Sequence, residues 1–142
     1  MHLRFSRTAD YGLRAALEIA GAPVGQLVTR HSIARATNAP ASVLAQALAP
    51  LVRAGVLVAQ AGPRGGYRMA RDPGDVSIYE VVRSVDGEEP EQRCVLRESV
   101  CSSTGSCPFH AVLMDAQERF VDTLKRTSLA DVLAHRVPSR DG

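Results

Sequence analysis

The sequence predicts a mainly α-helical protein with one small β-hairpin. Apolar residues recur at helical spacing in several separate segments, two short β-prone segments flank a glycine-rich turn near the middle of the chain, and Gly or Pro marks most of the boundaries. The chain has 142 residues, of which 45% are hydrophobic, so it can build a core without disulfides. These features are typical of a folded globular domain.

Three predicted helices occupy the amino-terminal third of the chain. The first spans residues 9–20 after an N-cap at Thr8, the second runs to Thr37 after an N-cap at Thr29, and the third covers residues 41–54. Apolar side chains three and four positions apart mark the face of each helix that we expect to be buried. The residues on these faces are Leu13, Ala16, Leu17, Ala20, Ile33, Ala34, Thr37, Val43, Leu44, Ala47, Leu48 and Leu51.

A hairpin follows the third helix. Residues 56–60 and 67–70 have the composition of short strands, and residues 61–66 form a glycine-rich turn between them. Helix, helix, turn, helix and hairpin is the order of elements in a winged helix-turn-helix, in which the third helix enters the DNA major groove and the hairpin, or wing, flanks it. The sequence therefore predicts a winged helix-turn-helix over residues 1–74.

The rest of the chain is predicted to form a second region over residues 75–135, followed by a flexible tail over residues 136–142. Ser77 is expected to cap a short helix, and a long helix returns over residues 108–126. Residues 88–106 have no periodicity, which inside a compact protein is typical of a functional loop.

The long C-terminal helix carries a broad apolar stripe. Such a stripe is wider than a single short partner helix would cover, and a helix-turn-helix usually reads two half-sites as a symmetric pair. We therefore expect this helix to be the dimerisation helix of a homodimer, with Ser128 capping a final short helix after it. The stripe consists of Val112, Leu113, Ala116, Phe120, Val121 and Leu124.

Charge divides the chain at Arg71, although the net charge is only +2. Residues 1–71 contain nine Arg against Asp10 and Glu18, a balance of +7, whereas residues 72–142 contain eight basic and thirteen acidic residues, a balance of −5. Guanidinium groups match phosphate oxygens and stay charged at physiological pH. The amino-terminal half therefore favours a polyanionic partner such as double-stranded DNA.

Six side chains of the predicted fold are candidates for DNA contact. Ser42 and Gln46 share the outward face of the third helix, where Gln can bond an adenine edge and Ser a base or a phosphate. Arg64 lies between glycines at the tip of the wing and is suited to a narrow minor groove. The candidates for phosphate contact are Arg30, Arg35 and Arg53.

The aperiodic segment and its end hold three cysteines. Six residues separate Cys94 from Cys101, five separate Cys101 from Cys107, and His110 follows after two more. Thiolates are soft ligands, so three of them with an imidazole nearby suit an iron–sulfur cluster or zinc. Structural zinc usually takes cysteines in closer C-x-x-C pairs, which favours the cluster, but spacing alone leaves both metals open.

Two other classes of protein fit the sequence poorly. It has no segment resembling a signal peptide and no apolar run of about 20 residues, so we expect a cytoplasmic protein without a membrane span. It also has no pair of nucleophile and base, no dinucleotide fingerprint and no C-x-x-C pair. We therefore expect no enzymatic activity, and a small redox enzyme is the less favoured alternative.

The segments TADYGLR at residues 8–14, LVRAGVL at residues 51–57 and GGYR at residues 65–68 precede the three cysteines. In this order and at these separations they resemble the Rrf-type winged helix-turn-helix regulators, the family that includes IscR and NsrR. The resemblance covers most of the chain. It implies a homodimeric transcription regulator, a repressor, that binds promoter DNA and is controlled by an iron–sulfur cluster of the 2Fe–2S or 4Fe–4S type.

The resemblance also implies a set of ligands. Cys94, Cys101 and Cys107 match the three cysteine ligands of the family. For the fourth ligand, Asp10 matches the first-helix Asp that NsrR-like members donate from the other subunit, and His110 matches the His of IscR-like members. The implied signals are nitric oxide, redox state and the supply of iron or clusters. The alternative is a winged-helix regulator with structural zinc or a cysteine thiol switch.

Overall fold

The computed structural model describes residues 5–87 and 108–135. The expected mainly α-helical protein with one small antiparallel hairpin is confirmed. The helices are α1 (Arg7–Ala20), α2 (Arg30–Thr37), α3 (Ala41–Arg53), α4 (Ile78–Asp86), α5 (Pro108–Arg126) and α6 (Leu129–Ala134). The strands are β1 (Leu57–Gln60) and β2 (Gly66–Met69), and a 3-10 turn (Pro73–Asp75) follows β2.

Helix α1 is central and packs against α2, α3, α4 and α6. Its buried face consists of Ile19 and four small residues, of which Ala15 and Ala16 are fully buried. At Gly12, an added Cβ would lie 3.0 Å from the Val85 side chain of α4 and 3.5 Å from the Ala47 side chain of α3. The small residues let α1 approach both α3 and α4 closely. Helix α1 is therefore in direct contact with both of them.

The beginning of α1 differs from the prediction, because Ser6 and not Thr8 is the N-cap. The Ser6 hydroxyl accepts a hydrogen bond from the backbone N–H of Ala9 at 3.0 Å and donates one to the Asp86 carboxylate at the end of α4. Ser6 precedes the first turn, so its side chain can satisfy a free N–H there, whereas Thr8 lies inside that turn.

The predicted turn between α2 and α3 is present. The Thr29 hydroxyl caps α2 by accepting from the backbone N–H of Ser32 at 3.1 Å, as predicted. Asn38 adopts a left-handed conformation, with φ of 53°, and reverses the chain before α3. In α3, Leu44 and Leu48 are fully buried against the core, and the helix continues through Pro50.

The wing pairs with a third segment that the sequence did not indicate. Strands β1 and β2 are antiparallel, with Leu57 opposite Met69. In addition, Val28 exchanges two backbone hydrogen bonds of 2.8 Å with Tyr67. An added Cβ at Gly66 would lie 2.6 Å from the carbonyl oxygen of Val28, so glycine is required for this close approach. The wing is thereby fixed to the segment that leads into α2.

Backbone hydrogen bonds join the start of α4 and the residues just before it to the segment between α5 and α6. The N–H of Ile78 donates to the carbonyl of Thr127 at 2.8 Å, and the N–H of Leu129 donates to the carbonyl of Val76 at 2.9 Å. Ser77 and Ser128 cap α4 and α6, as predicted. None of the helices within the described ranges is both long enough and apolar enough for a membrane span.

Candidate nucleic-acid interface

The exposed face of α3 is the first part of the candidate interface. Its exposed residues include Ser42, Gln46, Ala49 and Arg53, at intervals of four, three and four positions, which place them on one stripe. The buried leucines of α3 lie on the opposite face. Both residues predicted to read bases are therefore exposed together. Ala49 lies between these two residues and Arg53 on the same stripe, although it was not among the predicted DNA contacts.

The tip of the wing presents Arg64. The N–H of Gly65 donates to the carbonyl of Gly62 at 2.9 Å, which closes a four-residue turn with Arg64 in its second half. Gly62 has φ of 102°, and an added Cβ at Gly65 would lie 2.1 Å from the carbonyl oxygen of Gln60. These glycines make a turn tight enough to leave the Arg64 side chain exposed at its tip.

The predicted phosphate-contacting residues lie on two helices. Arg30 and Arg35 are exposed at the two ends of α2, and Arg53 is exposed at the end of α3. The Arg30 guanidinium donates a hydrogen bond to the Tyr67 hydroxyl at 2.7 Å, so its position is tied to the wing. The role of these residues in DNA binding stays a prediction.

Charge supports the same surface. Residues 19–71, which include α2, α3 and the wing, contain six Arg and neither Asp nor Glu. One of these cations, Arg71, pairs with Glu80 of α4. Because no carboxylate from within this stretch can neutralise the remaining arginines, the region carries the positive charge expected of a phosphate-binding surface.

The structure describes two of the five candidate metal ligands. Cys94, Cys101 and Cys107 lie outside the described residues. The Asp10 carboxylate pairs with Arg14 one turn along α1 at 2.9 Å, and its side chain is 46% exposed. His110 lies half-buried in the first turn of α5. The described residues alone contain no group of three or more His, Cys, Asp or Glu side chains that could hold a metal ion.

Known proteins similar to this chain are transcription regulators. The model of the Rrf2 family, described as iron-dependent transcriptional regulator, matches residues 5–135. The structure of CymR, described as the global cysteine regulator of B. subtilis, has a TM-score of 0.80 and 21% identity, covering 96% of this chain and 100% of that one.

Two further solved structures have the same fold. A putative transcriptional regulator from Listeria innocua has a TM-score of 0.77 and 26% identity, covering 100% of this chain and 95% of that one. IscR of T. potens has a TM-score of 0.76 and 23% identity, covering 100% of this chain and 94% of that one. These structures confirm a winged helix-turn-helix fold followed by a long C-terminal helix.

Proposed function

The chain belongs to the Rrf2 family of transcriptional regulators, and we propose that it is a homodimeric repressor whose affinity for promoter DNA is controlled by an iron–sulfur cluster. The observation that carries the DNA-binding part is the exposed stripe of α3 beside an arginine-tipped wing. Both belong to a stretch without acidic residues, and we assign residues 1–74 to DNA binding.

Each DNA contact follows from the chemistry of the exposed side chain. Gln46 can donate to and accept from an adenine edge at once, and Ser42 can bond a base or a phosphate. Arg64 at the wing tip enters the adjoining minor groove. Arg30, Arg35 and Arg53 bind phosphates and hold α3 in register without reading sequence.

The assignment of base reading is tested by Gln46→Ala. A lost bidentate contact should relax the preference at one base position by about 1–3 kcal/mol, measured by fluorescence anisotropy with a set of single-base operator variants. The control is Gln26→Ala, which removes another exposed amide from the loop before α2 and should leave the preferences unchanged. Intact preferences at every position in Gln46→Ala would contradict the proposed orientation of α3.

The wing contact is tested by Arg64→Ala. Losing one guanidinium from the DNA should weaken binding about ten-fold and reduce the slope of log K against log salt by about one. Arg119→Ala is the matched control, because it removes an exposed guanidinium from α5, outside the proposed DNA interface. Equal effects of the two variants would show that Arg64 contributes only general charge.

The proposed ligand set fits the cluster chemically. Cys94, Cys101 and Cys107 supply three thiolates, and Asp10 or His110 supplies the fourth ligand. The Asp10–Arg14 ion pair lies at the surface, where such a pair contributes little stability, so the carboxylate is available to a metal centre. When bound, the cluster supplies iron that reacts with nitric oxide and oxidants and changes charge on reduction.

The described contacts connect the end of α4, which precedes the cysteine segment in the sequence, with α3. Helix α4 ends at Asp86, shortly before that segment, and Asp86 accepts a hydrogen bond from Ser6 at the start of α1. Helix α1 in turn packs on α3 near Gly12 and Ala47. A shift of the end of α4 would therefore move α1 and α3 together and alter the spacing of the two recognition helices of the dimer.

The sensing centre is tested by preparing the protein without oxygen and measuring its absorption spectrum, iron and sulfide. We expect visible absorbance with iron and sulfide bound, and Cys101→Ala should abolish all three while Ser103→Ala in the same segment preserves them. Comparing Asp10→Ala with His110→Ala identifies the fourth ligand, because only the loss of a ligand should change the spectrum. Colourless protein with zinc would favour structural zinc, and protein without any metal a thiol switch.

A further inference from the structure

Tyr67 joins the wing to the beginning of α2 through both its backbone and its side chain. Its backbone exchanges two hydrogen bonds of 2.8 Å with Val28, two positions before α2 begins. Its side-chain hydroxyl accepts a hydrogen bond of 2.7 Å from the guanidinium of Arg30, the first residue of α2. Tyr67 therefore holds both the backbone and the side chain at this junction.

The two side chains of this bond differ in their exposure. Tyr67 is only 8% exposed and belongs to the hydrophobic core, whereas Arg30 is exposed. The guanidinium carbon of Arg30 lies 5.9 Å from the centre of the Tyr67 ring, so the cation also benefits from the ring's electron density. A buried core residue thus orients a cation at the surface.

The chemistry of the partner determines what Arg30 can still do. A carboxylate partner would neutralise the guanidinium, but a phenol hydroxyl is neutral and leaves its charge intact. A guanidinium has five N–H donors, and the bond to Tyr67 uses one of them. Arg30 keeps enough donors to bind a phosphate through two parallel hydrogen bonds.

We propose that Tyr67 is a positioning residue for DNA binding: its hydroxyl orients Arg30 toward one DNA phosphate at the start of α2 and fixes the wing in the same register. This inference rests on the proposed DNA contact of Arg30. An arginine that is already oriented loses less side-chain freedom when it binds, so the hydroxyl increases affinity without touching the DNA.

The test begins with Tyr67→Phe, which removes the hydroxyl and keeps the buried ring. We expect binding to a promoter fragment to weaken about 3- to 10-fold, as for the loss of one hydrogen bond, while the salt slope stays unchanged because the cation remains. Arg30→Ala removes the phosphate contact itself and should also lower the salt slope by about one. Thermal melting of each variant measures whether the fold is intact.

The decisive measurement is the double variant. If the hydroxyl acts through Arg30, Tyr67→Phe should have no further effect on affinity in the Arg30→Ala background. An equal loss of affinity in both backgrounds, or a lower salt slope in Tyr67→Phe alone, would overturn the inference and indicate a general structural role.

The same set of variants separates this inference from the proposed function. If Arg30→Ala leaves both the affinity and the salt slope unchanged, the proposed phosphate contact is wrong, and the positioning role is wrong with it. If Arg30→Ala weakens binding but Tyr67→Phe does not, only the positioning role is wrong. Wild-type protein that binds no promoter DNA at low salt would overturn the DNA-binding proposal as a whole.

Discussion

Helices α3 and α5 both carry a regular apolar stripe, but the structure covers the two stripes very differently. In α3, Leu44, Leu48 and Leu51 are completely buried within the chain. In α5, Phe109 is 46% exposed and Val112 is 66% exposed. Periodicity therefore identifies an amphipathic helix but does not identify what covers its apolar face.

The exposed large apolar side chains of α5 lie in the amino-terminal half of the helix. Toward its other end, Phe120 stacks on Phe5 with the ring centres 6.1 Å apart, and the Lys125 ammonium lies 4.8 Å from the centre of the Tyr79 ring. Large apolar side chains left exposed together commonly mark an interface. We infer that α3 is completed inside one chain, which frees its polar face for DNA, and that α5 is completed by a second copy.

The largest effect that this comparison predicts is on the stability of the single chain. Leu48→Ala should lower the free energy of unfolding by about 3 kcal/mol, because it leaves a cavity in a fully packed site. Urea denaturation at a protein concentration low enough to keep the chain monomeric measures this loss. Val112→Ala is the control and should stay within about 0.5 kcal/mol of wild type. Equal losses would mean that the α5 stripe is covered within the chain.

The next effect is on assembly. Val112→Asp should weaken the dimer at least ten-fold, roughly 1.4 kcal/mol, because it places a charge in an apolar interface. Sedimentation velocity over a range of concentrations measures the dimer dissociation constant. Ala111→Asp adds the same charge at a neighbouring exposed position off the predicted stripe and should leave the dimer intact. A wild-type chain that stays monomeric, or equal effects of the two variants, would remove α5 as the dimer interface.

Local sequence signals predicted much of this fold correctly. The long helix begins at Pro108 and ends at Arg126, as the spacing of its apolar residues predicted. The hydroxyl caps at Thr29, Ser77 and Ser128 are also present. Each of these signals depends on a few neighbouring residues, since a cap needs only an oxygen within reach of the N–H groups of the next turn.

The buried face of α1 shows where local signals fail. The periodicity of large apolar residues placed Leu13 and Leu17 inward, but both are half-buried, whereas Gly12 and Ala15 are buried. A helix packed closely against several others buries its smallest side chains at the crossings, and a pattern weighted toward large residues does not detect this. Within α1, Ala16 is the one residue that was predicted to face inward and is also buried in the structure.

The candidate site was predictable residue by residue but not as an arrangement. The exposure of Ser42, Gln46 and Arg64 follows from helical spacing and turn chemistry. The bond between Arg30 and Tyr67 joins positions 37 residues apart, so no local pattern indicates it. The cysteines lie outside the described residues, and their ligand role stays a prediction.

The smallest predicted effect concerns α6, which follows the end of α5 and anchors it to the core through the buried Leu129. The Asp131 carboxylate accepts a hydrogen bond from the Ser128 backbone N–H at 2.9 Å, and the Ser128 hydroxyl accepts one from the backbone N–H of Asp131 at 3.0 Å. The bond from the Ser128 backbone, followed by the contact with its side chain, lowers the pKa of Asp131 below its usual value of 3.8.

The sign of the pH dependence follows from that direction. A carboxyl group with a lower pKa in the folded state stabilises the fold above its unfolded pKa, and this stabilisation is lost as the pH falls through the folded pKa. The melting temperature of Asp131→Asn should therefore be slightly below that of wild type near pH 6, and the difference should shrink as the pH falls below 3.8. Asp122→Asn, on the exposed surface of α5, controls for the loss of one charge. A difference that grows on acidification would show that Asp131 does not stabilise the anchor of α5 as an ionised group.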